Sequence, residues 1–198
     1  RDFSINSIYS DKEGNLFDPF NGKEDLENGN INFIGDAEKR IKEDYLRILR
    51  YIRFFINYSK QSHDPEIIKI IKKNIGGVVK LSSERILDEF GKLTKSDNIL
   101  KIFKDNISLK LIEIILLQLK NLKYCKKLNS YAAENFSKVD FIFLISLLIV
   151  DGTDNVEYFL YKFNISKKDQ KRLKAIDLFY KEKVSITNFT EKNFNKIF

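Results

Sequence analysis

The residues of this chain that could do chemistry are concentrated in one short stretch of its first third. Acidic and basic side chains recur there at helical spacing, at Arg40, Glu43, Asp44, Arg47 and Arg50. At 100° per residue, these positions lie within one arc of about 120° on an α-helix. The spacing therefore predicts that carboxylates and guanidinium groups share one face of a single helix.

This face has two interpretations. In the first, Arg40 with Asp44 and Glu43 with Arg47 form helix-stabilising i,i+4 ion pairs, each worth roughly a few tenths of a kcal/mol. The second is recognition of a nucleotide base, because a carboxylate only accepts hydrogen bonds and an arginine only donates them. Adenine and cytosine present an amino donor beside a ring-nitrogen acceptor, so an Asp beside an Arg matches them and mismatches guanine and uracil. A mismatched buried group would cost about 1–3 kcal/mol.

The composition argues against several classes of site. The chain has 198 residues, with 35 Lys and Arg against 28 Asp and Glu, one His and one Cys. A closed zinc site needs about four N or S ligands, and a disulfide needs two thiols. Zinc fingers, disulfide scaffolds and Ser-His or Cys-His catalysis are therefore not predicted. His63 precedes a helix cap and is predicted to be an exposed loop residue.

The charge is unevenly distributed along the chain. Residues 1–40 carry 5 basic and 9 acidic side chains, whereas the remaining residues carry 30 and 19. This basic excess favours a polyanionic partner such as nucleic acid, although a composition rich in Lys, Ile and Asn can also reflect base-composition bias in the genome. The longest apolar run, residues 141–150, is shorter than the roughly 20 residues that span a bilayer, so no membrane partner is predicted. The lone thiol and this short apolar run predict a cytoplasmic protein. The chain has no Met and does not open on a signal peptide, which predicts either that a preceding segment was removed or that the reading frame is a remnant of a longer gene.

The elements that must position these residues can be read from turn signals and periodicity. Gly, Asn and Pro separate short apolar runs at residues 7–10, 15–17 and 31–34, which predicts strands and turns over residues 1–34. From Asp36 onward, apolar residues at 41, 45, 48, 52 and 55 predict one continuous helix with a buried stripe. Residues 109–122 and 141–150 are predicted to be buried helices. The fold class is therefore predicted to be mostly α, with a short strand-and-turn segment at the N-terminus.

Five short motifs follow one another over about the first 95 residues. They are Arg1-Asp2-Phe3-Ser4-Ile5-Asn6-Ser7; Asp18-Pro19-Phe20-Asn21-Gly22 with Glu24-Asp25-Leu26; Phe33-Ile34-Gly35-Asp36; Glu43-Asp44-x-x-Arg47-x-x-Arg50; and Leu81-Ser82-x-Glu84-Arg85. In this order they resemble the tRNA nucleotidyltransferase / poly(A) polymerase family. The uninterrupted stretch from Glu43 to Arg47 is more similar to CCA-adding enzymes than to bacterial poly(A) polymerases, which tend to carry a Pro-containing variant there.

The resemblance implies a nucleotide-binding site. Arg1 and Asp2 match the motif that contacts the triphosphate and the ribose. Asp44 and Arg47 match the pair that reads the base of incoming CTP or ATP, and Arg50 and Arg53 match further arginines near the nucleotide. Supporting roles are implied for Asn6, Asp18, Gly22, Glu43, Glu84 and Arg85. Residues 18–22 resemble a flexible region that helps the site change from C to A addition. Asn21 replaces the first of two glycines in the family's motif. Asn tolerates positive φ better than most residues.

The resemblance also implies a domain organisation. Residues 1–34 are expected to be the C-terminal remnant of a nucleotidyltransferase head, residues 35–95 a helical neck that recognises the base, and residues 96–198 a helical body and tail that bind tRNA. The family holds Mg²⁺ with an Asp-x-Asp pair in the head, and this chain contains no Asp-x-Asp. No catalytic or metal-binding residue is therefore assigned, and the chain alone is expected to be inactive without a head, which a separate chain could supply.

The implied function is that of the C-terminal part of a CCA-adding tRNA nucleotidyltransferase with ATP and CTP as substrates and tRNA as partner. Two alternatives stay open: a bacterial poly(A) polymerase fragment, which would use CTP poorly, and a non-catalytic RNA-binding remnant. In the C-terminal half, Lys167, Lys171 and Lys174 share one predicted helical face. This face is either a track for tRNA phosphates or an ordinary solvated surface.

Overall fold

The computed structural model describes residues 1–185 and is mainly helical. It divides into two compact units, Arg1–Ser108 and the residues from Leu109 onward. The predicted fold class, mostly α with a small strand-and-turn segment at the N-terminus, is confirmed. No helix within these described residues is both long and apolar enough to cross a membrane.

The N-terminal segment of the first unit contains one short hairpin. Strands β1 (Tyr9–Ser10) and β2 (Leu16–Phe17) pair antiparallel, with Tyr9 opposite Phe17. The predicted strand over residues 31–34 is reduced to an isolated bridge between Phe3 and Phe33. Helix α1 (Gly22–Asn28), which the turn residues around it did not predict, lies within this segment.

The predicted continuous helix after Asp36 is wrong, because the chain forms two helices there. Helix α2 (Ala37–Glu43) begins as expected at Asp36, whose Oδ1 accepts a hydrogen bond from the Lys39 amide at 2.7 Å. It ends at Asp44, which is extended (φ −153°, ψ 105°), and α3 (Leu46–Tyr58) begins two residues later. The break lies within the stretch that carries the candidate chemistry.

The remaining elements of the first unit pack around this broken helix. They are α4 (Pro65–Asn74), a 3-10 segment (Ile75–Lys80), α5 (Ser83–Thr94), α6 (Lys101–Lys104) and α7 (Asn106–Ile115), which runs past the boundary of the unit. Helix α2 packs against α4, and α3 packs against α5. The apolar stripe fills the core, where Ile41, Ile48 and Ile52 are fully buried.

His63 is buried, which corrects the prediction of an exposed loop residue. Its Nδ1 lies 3.0 Å from the Tyr51 hydroxyl, and its Nε2 lies 2.7 Å from Asp105 Oδ2 and 3.2 Å from Ser108 Oγ. Its ring stacks on Phe55 at 3.5 Å between centroids. Burial alone would raise the pKa of Asp105, but hydrogen bonds from His63 and Ser108 lower it to about 2. This cluster connects α3 to the junction of α6 and α7.

The second unit has an apolar helical core. Its elements after α7 are a 3-10 segment (Leu122–Lys127), α8 (Ser130–Asn135), a 3-10 turn (Phe136–Lys138), α9 (Phe141–Ile149), α10 (Asn155–Lys162) and α11 (Lys167–Ser185). Helix α9 packs against α10 and α11 around Leu144, Phe159 and Leu173. The helix predicted over residues 141–150 is confirmed, whereas the one predicted over 109–122 ends at Ile115.

Candidate functional site

Asp44 lies in the break between α2 and α3, and both of its carboxylate oxygens are hydrogen-bonded. Oδ1 accepts from the amide of Leu46 at 3.1 Å, at the first residue of α3. Oδ2 accepts from Arg85 Nη2 on α5 at 2.8 Å. The Asp44 side chain is 25% exposed. The break therefore presents a fixed and solvent-accessible acceptor.

Arg47 lies in the first turn of α3 and donates to three groups. Its Nε bonds Asp2 Oδ1 and its Nη1 bonds Glu43 Oε2, each at 2.7 Å, and Nη1 also donates to the backbone oxygen of Arg40. The predicted pair of Glu43 with Arg47 is confirmed. The predicted pair of Arg40 with Asp44 is wrong, because Asp44 has left the helix and Arg40 pairs with Glu43 at 2.5 Å instead.

Asp2 is the buried acceptor that holds the arginines of α3. Its carboxylate is only 8% exposed and accepts from Arg47 and from Arg50 Nη1. Burial alone would raise the pKa of Asp2, but the hydrogen bonds from these two arginines outweigh it and lower the pKa. The residues in each pair are 45 and 48 positions apart, so no local spacing could have revealed them.

Glu89 is a second buried carboxylate, and it was not among the predicted site residues. It is 1% exposed and accepts from Arg53 Nε at 2.5 Å, with Arg50 Nε at 3.7 Å. The Arg53 guanidinium also lies over the Phe54 ring, 4.6 Å from its centroid. One signal was available in the sequence, since Glu89 interrupts the apolar stripe of α5. Arg53 is thus held by Glu89 rather than by the group around Asp2.

The segment at residues 18–22 positions α1 on the segment that follows Asp2. Asp18 accepts hydrogen bonds from the amides of Gly22 and Lys23, each at 2.8 Å. Asn21 has φ 54°, in the positive range that Asn tolerates better than most residues. A Cβ on Gly22 would lie 2.2 Å from the backbone oxygen of Ser4, so close packing requires glycine there.

The other predicted site residues lie in the N-terminal segment, on α5 and on α11. The Arg1 guanidinium lies 5.9 Å from the centre of the Tyr9 ring, and the Arg1 backbone oxygen accepts from Arg40 at 2.7 Å. Asn6 accepts from the amide of Phe3 at 3.2 Å, so it caps a local turn. Glu84 is exposed on the first turn of α5. Within the second unit, the exposed face of α11 carries Lys167, Lys171 and Lys174.

The described residues contain no group of three or more His, Cys, Asp or Glu side chains that could hold a metal ion. Two acidic pairs, Asp11 with Glu13 and Asp25 with Glu27, have the same spacing as an Asp-x-Asp pair. Asp11 accepts from the amide and side chain of Asn15 at 2.7 and 2.8 Å. Asp25 accepts from Ser4 Oγ at 2.5 Å. Both carboxylates serve local structure.

Asp44 and Arg47, at the start of α3, each keep unused hydrogen-bonding capacity. Asp44 offers acceptor lone pairs, because a carboxylate has about four of them and the structure uses two. Arg47 uses Nε and Nη1, so its Nη2 hydrogens have no hydrogen-bond acceptor among residues 1–185. The Arg50 side chain, which is 36% exposed, adds a positive charge beside Asp2.

Two protein-family models match the chain. The model described as "Poly A polymerase head domain" matches residues 1–32. The model described as "Probable RNA and SrmB- binding site of polymerase A" matches residues 63–123. The broken helix with Asp44 and Arg47 lies between these two matches.

The chain is similar to curated proteins and to a solved structure. It is 46% identical over 101 residues to the human CCA tRNA nucleotidyltransferase 1, mitochondrial, covering 50% of this chain and 23% of that protein. It is 29% identical over 200 residues to the CCA-adding enzyme of Staphylococcus haemolyticus, covering 100% of this chain and 46% of that protein. The structure of the Bacillus stearothermophilus CCA-adding enzyme in complex with CTP matches with a TM-score of 0.65 and 26% identity, covering 92% of this chain and 46% of that one. The chain thus spans less than half the length of these relatives.

Proposed function

The chain belongs to the tRNA nucleotidyltransferase / poly(A) polymerase family, and from this premise we propose that it is the part of a CCA-adding tRNA nucleotidyltransferase that selects CTP and ATP for the 3′ end of tRNA. The observation that carries the proposal is the pair of Asp44 and Arg47 at the start of α3. One side chain has unused acceptor capacity, and the other has unused donor hydrogens.

This pair matches the two bases that the proposal requires. The amino group of cytosine or adenine donates to Asp44, and the neighbouring ring nitrogen accepts from Arg47 Nη2. Guanine and uracil present the opposite order of donor and acceptor, which would leave both protein groups unpaired at about 1–3 kcal/mol each. Selection therefore needs Asp44 and Arg47 to keep a fixed relative orientation.

The surrounding residues support that orientation. Asp2 and Glu43 hold Arg47 from two sides, and Arg85 holds Asp44 from α5. In the proposal, Arg1, Arg50 and the buried Asp2 lie toward the triphosphate and ribose. The implied contact of Asp2 with the ribose adds to its observed role as acceptor for the arginines, since its carboxylate can accept further bonds.

We assign no catalytic residue to this chain. The family's Mg²⁺ would be held by a head domain, and residues 1–185 contain no group of three or more His, Cys, Asp or Glu side chains that could hold it. The Mg²⁺ site, the separate head chain and the inactivity of the chain by itself stay predictions. The cytoplasmic localisation also stays a prediction.

The test is nucleotide addition to a tRNA that lacks its 3′ CCA. This chain is assayed alone and mixed with a separately produced head domain of the family, with each of the four NTPs. We expect addition of C and then A in the mixture only. Asp44→Ala or Arg47→Ala should relax the choice of base, whereas Lys42→Ala, an exposed neighbour on α2, should leave it unchanged.

Each other outcome points to a different conclusion. Metal-dependent incorporation by the chain alone would contradict the predicted inactivity. Efficient use of ATP with poor use of CTP would favour a poly(A) polymerase. If the two pieces associate and add nothing, the non-catalytic remnant would be favoured.

A further inference from the structure

Tyr45 occupies the break between Asp44 and α3, and its ring lies directly against Gly77. A Cβ built on Gly77 would lie 2.1–2.3 Å from three ring carbons of Tyr45. Real Cβ atoms do not approach other heavy atoms this closely, so any side chain at position 77 would displace the ring. Lys80 Nζ lies 5.8 Å from the centre of the same ring. The 3-10 segment Ile75–Lys80 thus forms the surface on which Tyr45 rests.

Gly76 provides a natural contrast to Gly77. A Cβ on Gly76 has no heavy atom within 4 Å. Neither residue is among the glycines with positive φ, so alanine fits the backbone at both positions. Gly76 and Gly77 therefore differ in whether a Cβ would collide with the Tyr45 ring, and not in the sign of φ.

Tyr45 is the residue that directly precedes α3. Tyr45 is helical (φ −64°, ψ −15°), directly after the extended Asp44. The Asp44 carboxylate bonds the Leu46 amide, and the Asp44 backbone oxygen accepts from the Arg47 amide at 3.1 Å. A displaced ring would move the same residues that carry the acceptor and the donor for the base.

We infer that Tyr45 and Gly77 are positioning residues for base selection. The ring of Tyr45 packs on Gly77 and thereby fixes the break between α2 and α3, which orients Asp44 and Arg47 relative to each other. Neither residue touches the nucleotide in this account. The inference rests on the proposed function for its consequence in selection, but its structural step can be measured without nucleotide.

The first measurement is hydrogen exchange in the whole chain without nucleotide. We expect Gly77→Ala to accelerate exchange of the Leu46 and Arg47 amides by about tenfold or more, because the bonds to Asp44 open more often. Gly76→Ala should change them by less than about twofold, and core amides at Ile52 should be protected in all variants. Equal behaviour of the two glycine variants would overturn the inference.

The second measurement identifies the steric cause. Tyr45→Phe keeps the ring and should exchange like the wild type. Tyr45→Ala removes the ring and should by itself accelerate exchange at Leu46. In the Tyr45→Ala background, Gly77→Ala should then add less than about twofold. A full effect of Gly77→Ala without the ring would show that the contact is not the cause.

The third measurement is base selection in the mixture of this chain with a family head domain. Gly77→Ala should lower the kcat/KM ratio of CTP to UTP by about tenfold, and Tyr45→Phe should retain the wild-type ratio. A changed exchange pattern with an unchanged ratio would overturn the positioning role. If wild-type chain adds no nucleotide, the proposed function fails and the selection step fails with it, while the exchange data still decide the structural step.

Discussion

The two units bury charge in different ways. In the first unit, the buried carboxylate of Asp2 faces three arginines and that of Glu89 faces two. The bonds to Arg47, Arg50 and Arg53 connect residues 36–48 positions apart. In the second unit, the buried Asp177 pairs with Lys181 on the same helix, four residues away. The ion pairs of the first unit connect distant segments of the chain, whereas the pair in the second unit joins two residues of one helix. The difference indicates that the first unit carries the charged groups that need tertiary contacts for their orientation.

The largest expected effect is the removal of Asp2. Asp2→Ala leaves Arg47 and Arg50 without their shared acceptor, so we expect the free energy of unfolding of the first unit to fall by about 2–3 kcal/mol. The measure is hydrogen exchange of core amides at Ile48, which reports this unit alone.

The matched control for this prediction is Asp177→Ala in the second unit. Its partner Lys181 is 33% exposed and can be solvated, so we expect a loss of about 1 kcal/mol or less at the amide of Ile145. Equal losses in the two units would remove the distinction between them.

Acidification is expected to have a smaller effect on the free energy of unfolding of the first unit. Asp105 has a folded pKa of about 2, below its ordinary value of 3.8, so it stabilises the folded state above the unfolded pKa. This stabilisation is lost as the pH falls through the folded pKa, and between pH 5 and pH 2 it amounts to about 2 kcal/mol. The measure is urea unfolding of the first unit at several pH values.

The comparison variant for the acid prediction is Asp105→Asn, which keeps one oxygen for the N–H of His63. It should be less stable at pH 5 and should lose less on acidification. The prediction is contradicted if wild type and variant show parallel stability curves.

The smallest expected effect on stability belongs to the lysines of α11. Lys167→Ala, Lys171→Ala and Lys174→Ala together remove exposed charge and should leave the exchange of Ile145 unchanged. If these lysines contact phosphates, tRNA affinity falls and the slope of log K against log salt decreases by about one per lysine. The control replaces Lys12, Lys23 and Lys39, three exposed lysines of the first unit, and an equal change there would contradict a specific track.

Sequence patterns predicted the parts of this protein that depend on local spacing. The cap at Asp36, the buried Ile41, Ile48 and Ile52, and the pair of Glu43 with Arg47 all follow from helical periodicity. The break at Asp44 did not follow, because the apolar steps of 4 and 3 continue through it. Contacts from Arg85 and Gly77, which are distant in sequence, accompany the break.

Only part of the arrangement at the candidate site could be predicted, because tertiary contacts do not appear in local spacing. The motif resemblance identified Asp2, Asp44, Arg47 and Arg50 as one group, but no pattern indicated that Asp2 is buried as the acceptor for both arginines. Glu89 and the environment of His63 depend on packing between helices. Spacing identifies residues that share a helix face, and tertiary packing decides which of them meet.

The buried Tyr51 also gives the first unit its own optical signal. The chain has nine Tyr and no Trp, so tyrosine dominates its near-ultraviolet absorption. Burial raises the pKa of Tyr51, whereas Tyr158 and Tyr161 in the second unit are exposed. In alkaline solution Tyr51 keeps its phenolic proton until the first unit opens, and the phenolate that then forms changes the near-ultraviolet absorption. This absorbance change therefore reports unfolding of that unit without any added dye.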